Sequence, residues 1–314
     1  MSMLRPTFGR RPSEGGGRGP RGAGGRREEA VAGWLLALPF VVVFLVFSLW
    51  PMLWSLFMSF TDMTNRDLRS PFNVEFIGFD NFVTVLSSGQ FLRGIVNTLV
   101  IVVVGVPATI VLGLLLAVAL NNGIQRAKPL FRTIYYVPVV TTVVAIAVVW
   151  KFLFADQGVF NAVLATVGVD GRPWLTDTFW ALPTIILLIV WRSFGFIMVL
   201  FLAGLQAIPQ DLYDAARVDG ASAPRRLFSI TVPLLMPTIL LAMVLQTVSF
   251  LEIFEEPFVT TQGGPLNSTA TMSMLVYEFF GFGAYGEAAA ASYVLFAIIG
   301  LLSLVQFRVL RSRT

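Results

Sequence analysis

Residues 94–120 read GIVNTLVIVVVGVPATIVLGLLLAVAL, an uncharged apolar run that is long enough to cross a bilayer as a helix. Similar runs recur along the chain, and they predict six spans at about 32–60, 94–120, 133–154, 180–206, 231–251 and 287–308. Overall 56% of the residues are hydrophobic and 13% are charged, which is too few charges to cover a water-facing surface. The sequence therefore predicts an all-α, polytopic membrane protein with six transmembrane helices, and it excludes a soluble enzyme.

The chain contains no cysteine and no histidine. This excludes disulfides, thiolate zinc sites, haem–histidine ligation and Cys–His nucleophile pairs. Neither Lys128 nor Lys151 follows a glycine, so no G-x-x-x-x-G-K-[ST] phosphate loop occurs. Composition alone leaves Ser/Lys and paired-carboxylate catalysis open, but each lysine lies at the end of an apolar run, which favours an anchoring role. We expect no catalytic residue, no metal site and no cofactor bound by this chain.

Basic residues are distributed unevenly between the segments that join the predicted spans. Sixteen lie in the N-terminal tail, in 121–132, in 207–230 and from Arg308 to the C-terminus, whereas five lie in the alternate segments. The positive-inside rule then places both termini in the cytoplasm. Because the positive charge follows the topology, we expect no nucleic-acid partner despite the basic pI near 9.8.

Composition divides the chain into four parts. Residues 1–30 are rich in Gly and Arg and are expected to form a disordered cytoplasmic tail rather than an RNA-binding arm. Residues 31–93 contain the first span and an outer loop, and residues 94–308 contain a core of five spans. Residues 309–314 form a second cytoplasmic tail.

The loop 207–230 is the most informative polar segment. It predicts a short amphipathic helix with Asp211 in its first turn, a break at Gly220 and a second short helix that enters the fifth span. A structured polar loop on the cytoplasmic face is a candidate docking surface. An ordinary connector between two spans explains the same residues equally well.

The spacing of this loop carries a resemblance. Asp214-Ala215-Ala216, three residues, Gly220, nine residues and Ile230-Thr231-Val232-Pro233 resemble the EAA loop of ABC importer permeases, with Asp for Glu and Val for Leu. In that family the loop is a coupling helix seated in a cleft of the ATP-hydrolysing subunit. The resemblance assigns coupling to residues of this loop: Asp214, Ala215, Ala216, Asp219, Gly220 and Ala221.

Further segments resemble the carbohydrate branch, which includes the maltose and glycerol-phosphate permeases. They are Phe76–Phe82, Asn97-Thr98, Trp191–Pro209, Thr261–Pro265, Ser268-Thr269 and Tyr277-Glu278. The resemblance implies an ABC type I importer fold in the bacterial cytoplasmic membrane. It also implies a second homologous permease subunit, two ATPase subunits that bind ATP and Mg, and an extracytoplasmic sugar-binding protein. The cargo expected is a sugar, and a di- or oligosaccharide in particular.

Two predicted spans contain candidate substrate contacts. Arg192 is a charge inside an apolar run, a position that usually faces a polar cavity or a partner. Carboxylates accept hydrogen bonds from sugar hydroxyls, and an aromatic face packs against a sugar ring. The candidates are Arg192, Ser193 and Phe196 in the fourth span, and Leu251, Glu252 and Glu255 at helical spacing at the end of the fifth. Alternatively, the glutamates, including Glu256, are solvated at a helix end and Arg192 pairs with one of them.

Two other classes of membrane protein are alternatives to an importer permease. A secondary transporter driven by an ion gradient usually has carboxylates near the centres of its spans and an internal repeat. The sequence shows neither. A membrane-embedded enzyme is disfavoured because the chain lacks His, Cys and paired Asp residues within the predicted spans.

Overall fold

The computed structural model describes residues 23–70, 74–122 and 128–311. Within these ranges the chain is helical and contains no strand, apart from an isolated antiparallel bridge between Thr61 and Phe76. The helices are α1 (Ala23–Phe44), α2 (Trp50–Met58), α3 (Asp80–Ser87), α4 (Gly89–Asn122), α5 (Lys128–Val140), α6 (Val143–Leu153), α7 (Val159–Thr166), α8 (Ala181–Gln206), α9 (Gln210–Val218), α10 (Ala223–Arg226), α11 (Val232–Leu251), α12 (Glu255–Thr260), α13 (Met272–Gly281) and α14 (Tyr285–Arg311). The all-α fold predicted from the sequence is confirmed.

The chain forms two compact units, Met1–Trp54 and Ser55–Thr314. The first unit contains α1, a π-helical turn over Leu45–Leu49 and the beginning of α2. Most of the N-terminal tail predicted to be disordered lies outside the described residues, as do residues 312–314. Helix α1 begins at Ala23, so the tail prediction is wrong for its last eight residues, which extend the apolar helix toward its N-terminus.

Five helices are long and apolar enough to cross a membrane. They cover Gly33–Met58, Gly89–Asn121, Ala181–Gln206, Ala223–Thr260 and Tyr285–Arg308. The third predicted span is not a straight helix, because α5 and α6 meet at an angle of 98°. The described residues therefore contain six spans if this bent pair counts as one.

The bend lies between Val140 and Val143. Pro138 sits in the last turn of α5 and offers no backbone N–H to the helix ladder, which weakens its end. Thr142 then takes an extended backbone with φ −60° and ψ 133° and serves as the N-cap residue of α6. The sequence predicts a single span over 133–154, whereas the structure changes direction by 98° within it.

Helices α4 and α8 form the centre of the larger unit. Buried apolar side chains of α4, such as Ile101 and Val106, belong to the same core cluster as Ile189 and Ile197 of α8. Close approach needs small residues: a Cβ added at Gly195 of α8 would collide with the carbonyl oxygen of Tyr135 in α5. Helix α5, the first helix of the bent pair, therefore packs directly against α8.

Candidate functional site

The loop 207–230 folds as the sequence predicts, with a helix, a glycine break and a second helix. Helix α9 ends at Val218, and Gly220 follows with φ +72°, a left-handed conformation that favours glycine. The N–H of Gly220 donates to the carbonyl of Arg217, and the N–H of Ala221 donates to that of Ala216. These two bonds form a Schellman motif, which closes the C-terminus of α9.

The surface of α9 combines exposed charge with exposed apolar side chains. Asp214 and Arg217 form an ion pair of 3.0 Å, and both side chains are largely exposed. On the same short helix Leu212 is 44% exposed and Val218 is 88% exposed. These apolar side chains on α9 are thus accessible for contact with another molecule.

One hydrogen bond links α9 to the turn that precedes α11, and a second closes the loop across its glycine break. The hydroxyl of Tyr213 in α9 lies 3.0 Å from Oγ1 of Thr231. A guanidinium N–H of Arg226 donates to the carbonyl of Ala221 at 2.8 Å, across the glycine break. Thr231 is the last residue of a π-helical turn, Leu227–Thr231, which leads directly into α11. Helix α9 is therefore connected to α11 both through the chain and through the Tyr213–Thr231 contact.

Arg192 is paired in the interior of the larger unit. Its Nε donates to Oε1 of Glu256 in α12 at 2.8 Å, and the Glu256 side chain is only 2% exposed. Arg192 lies roughly 16 Å along α8 from its first residue, near the middle of this 26-residue helix. The alternative in which Arg192 pairs with a glutamate therefore agrees with the structure. The partner is Glu256, which is not among the predicted substrate contacts.

The predicted helical spacing of Leu251, Glu252 and Glu255 is wrong. Helix α11 ends at Leu251 and α12 begins at Glu255, so these residues do not share one helix face. Leu251 is fully buried in the core, whereas both glutamates are exposed. The sequence named Glu256 only as one of three possible partners of Arg192. Pro257, which cannot donate to the carbonyl of Ile253 in a continuous helix, is a local signal for the break at 252–254.

The remaining predicted contacts on α8 stay accessible. Phe196 is 39% exposed, and Ser193 is partly buried. Trp191, one position before Arg192, packs its ring 5.4 Å from that of Trp150 in α6 and remains 37% exposed. Since Arg192 is neutralised by Glu256, the accessible groups among the predicted contacts are aromatic, hydroxyl and carboxylate.

Segments distant in sequence meet at the ends of α4 and α13. Asn97 donates from Nδ2 to the carbonyls of Asn267 and Ala270, both at 2.9 Å. Thr98 accepts a hydrogen bond from the backbone N–H of Met272 at 3.1 Å. The segment 261–271 that precedes α13 is therefore fastened to α4 by the Asn-Thr pair that the sequence singles out.

The fold is a bundle of helices long and apolar enough to span a membrane, with a capped helix on the polar loop 207–230. Residues 76–314 match the family of binding-protein-dependent transport system inner membrane components, and the chain belongs to that family.

Curated relatives match along nearly their whole length. The lactose transport system permease protein LacF of Rhizobium radiobacter is 37% identical over 92% of this chain and 97% of its own. The trehalose/maltose transport system permease protein MalF of Thermococcus litoralis is 34% identical over 91% of this chain and 95% of its own.

A solved structure shares the fold. It is a chain of a bacterial ABC transporter involved in the import of the acidic polysaccharide alginate, with a TM-score of 0.76 and 29% identity. The match covers 91% of this chain and 96% of the other.

Proposed function

We propose that this chain is the sugar-conducting permease subunit of an ATP-driven importer, with a di- or oligosaccharide as cargo. The observation that carries the proposal is the end-to-end similarity to permeases named for lactose and for trehalose/maltose. In the proposed cycle an extracytoplasmic binding protein delivers the sugar, and separate subunits bind ATP and Mg and hydrolyse the ATP. The chain itself catalyses no reaction.

The docking helix is the proposed contact with the ATPase. Asp214, Ala215 and Ala216 lie on α9, and Asp219, Gly220 and Ala221 form its capped end. Exposed apolar groups on α9 supply surface for burial, and the Tyr213–Thr231 contact links that surface to α11. ATPase closure would then move α11, which ends at the residues that precede Glu256.

The assembly we propose contains a second, homologous permease subunit and two ATPase subunits. Six spans form half of the expected transport pathway. In the carbohydrate branch that this chain resembles, a paralogous permease subunit provides the other half. The ion-gradient alternative is less well supported, because the family is binding-protein-dependent. Sugar uptake by vesicles that contain the full complex should require ATP and the binding protein and should persist when a protonophore collapses the ion gradient.

We further propose that both termini and the loop 207–230 face the cytoplasm. A single cysteine introduced as Ser222→Cys is expected to resist a membrane-impermeant maleimide in intact cells and to react once the cells are opened, because the natural chain contains no cysteine. A matched cysteine at Thr176, in a proposed outer segment, should react in intact cells. Labelling of position 222 from outside would overturn this topology.

The proposed cargo is a neutral saccharide. Arg192, the charged donor among the predicted contacts, is already bound to Glu256, which leaves Glu252 and Glu255 as exposed carboxylates. These groups accept sugar hydroxyls and repel phosphate or uronate groups at short range. In this respect the proposed cargo differs from the acidic polysaccharide of the alginate transporter.

Removing either exposed glutamate is expected to weaken sugar transport. Glu252→Ala or Glu255→Ala should lower the apparent affinity for the cognate sugar roughly tenfold to a hundredfold, because each removes a charged hydrogen-bond acceptor. The measurement is uptake of radiolabelled disaccharides and of glycerol phosphate by vesicles with equal amounts of complex. Glu75→Ala, at another exposed glutamate, is the control. Preferential uptake of the phosphate ester would contradict the neutral-cargo proposal.

A further inference from the structure

A groove of about 420 Å³ lies between the first halves of α4 and α8. At one end it is lined by polar groups of Arg93, Asn97 and Ser268. Further along α4 and α8 it is lined by apolar side chains, among them Val104 and Ile186. The groove thus has one polar end and one apolar end.

The polar end contains a buried hydroxyl without a partner. Ser268 is 6% exposed, and its Oγ makes no hydrogen bond within the described part of the chain. Asn97 uses both hydrogens of its amide on the carbonyls of Asn267 and Ala270, which holds Ser268 in place between them. Buried polar groups normally have partners, so this hydroxyl indicates a ligand atom at the groove.

Arg93 supplies positive charge beside that hydroxyl. Its side chain is exposed, and one guanidinium nitrogen reaches the carbonyl of Leu266 at 3.4 Å. Five N–H donors in a planar fork match the oxygens of a phosphate, and a single long contact leaves most of them available. The polar end therefore suits an anionic, phosphate-like group.

The length of the groove matches one leaflet of a membrane. Arg93 and Val104 are separated by roughly 16 Å along α4 at a helical rise of 1.5 Å per residue. Half of a typical hydrocarbon layer is about 15 Å. A ligand with its phosphate at Arg93 would thus extend an apolar chain to the membrane midplane beside Val104.

We propose that this groove is a binding site for a phospholipid with an anionic head group. The Arg93 guanidinium binds the phosphate, Ser268 donates to a phosphate or ester oxygen, and one acyl chain lies along α4 and α8. The apolar end disfavours a sugar, because sugar hydroxyls placed there would lose water without gaining hydrogen-bond partners. The site is independent of the transported cargo and of which side of the membrane the termini face.

The test uses the assembled transporter, purified in mild detergent and stripped of lipid by extended washing. Dioleoyl phosphatidylglycerol is titrated in, and bound lipid is counted by native mass spectrometry. The parent complex should bind one lipid tightly, and Arg93→Gln should lower the affinity for this lipid by roughly tenfold or more. Val104→Trp, which fills the apolar end, should also weaken it, whereas Arg93→Lys should retain part of the affinity.

Arg69→Gln is the matched control, since it removes an exposed arginine from the short 3₁₀ helix Asn65–Arg69. It should leave lipid binding unchanged. Inorganic phosphate at millimolar concentration should fail to displace the lipid, because it lacks the acyl chain. If phosphate displaces the lipid, the groove is an anion site only and the lipid proposal fails. If the parent, Arg93→Gln and Val104→Trp all retain the lipid equally, the proposal is overturned as well.

Discussion

Replacing Glu256 with alanine is expected to lower the free energy of unfolding of the membrane-embedded bundle by about 3–5 kcal/mol. The substitution leaves the guanidinium of Arg192 charged, largely buried and without its partner at 2.8 Å, and breaking a buried pair from one side typically has this cost. The measurement is unfolding of the purified protein in detergent, followed by tryptophan fluorescence.

Two controls separate the buried charge from the loss of a contact. Asp214→Ala breaks an ion pair of similar length, 3.0 Å, whose side chains are both 56% exposed, and it should change stability by about 0–1 kcal/mol. The double variant Arg192→Met with Glu256→Leu removes both charges and should recover most of the loss. An equal effect at Asp214, or a double variant no more stable than Glu256→Ala, would contradict the pairing.

The ion pair also decides how Arg192 is interpreted. If Arg192 acts by holding α12 against α8, then the charge-free double variant should support sugar uptake once its stability is restored. If Arg192 contacts the sugar directly, uptake should fail in the double variant despite restored stability. Uptake and unfolding measured on the same preparations distinguish the two roles.

Local features of the site, such as helix ends, could be predicted from the sequence, but contacts between distant segments could not. The capped end of α9 was predictable, because a glycine after an amphipathic stretch is a local signal for a left-handed residue. The partner of Arg192 was not, because the choice among three glutamates depends on where α11 ends. Pro257 signals a helix break near residue 253, but it does not indicate which of the three glutamates the break turns toward Arg192.

The 98° bend has a similar explanation. Pro138 marks a weakened helix, yet several other spans contain prolines and continue as one helix, as α4 does through Pro107. What differs is the environment: α5 is held against α8 at Gly195, while α6 packs against α12. Hydropathy alone reads 133–154 as one apolar block because it contains no information on such contacts.

Gly220→Pro is expected to abolish sugar uptake while the complex still assembles in the membrane. Gly220 has φ +72°, which the proline ring forbids, and its N–H donates to the carbonyl of Arg217, a bond that proline cannot make. Both effects disrupt the capped end of α9, next to the hydrogen bond between Arg226 and Ala221. Arg226 directly precedes the π-helical turn that continues into α11. ATP hydrolysis by the complex should then no longer respond to the sugar-loaded binding protein.

The chain provides a matched control for this variant at Gly168. Gly168 has φ +75°, follows the short helix α7, and its N–H donates to the carbonyl of Ala165. The next residue, Val169, donates to Leu164, so the same capping motif recurs far from the docking helix. Gly168→Pro imposes an equivalent backbone change and should leave ATP hydrolysis responsive to the loaded binding protein.

The milder pair Gly220→Ala and Gly168→Ala keeps the hydrogen bonds and adds only the strain of a left-handed alanine, about 1–2 kcal/mol. Neither added Cβ meets another atom within 4 Å, so any difference between the two sites reflects what their helices contact in the assembly. Because the strain is equal, a selective loss of coupled hydrolysis at position 220 points to the docking helix itself. Normal uptake in Gly220→Pro, or equal losses at positions 220 and 168, would contradict the coupling role of this loop.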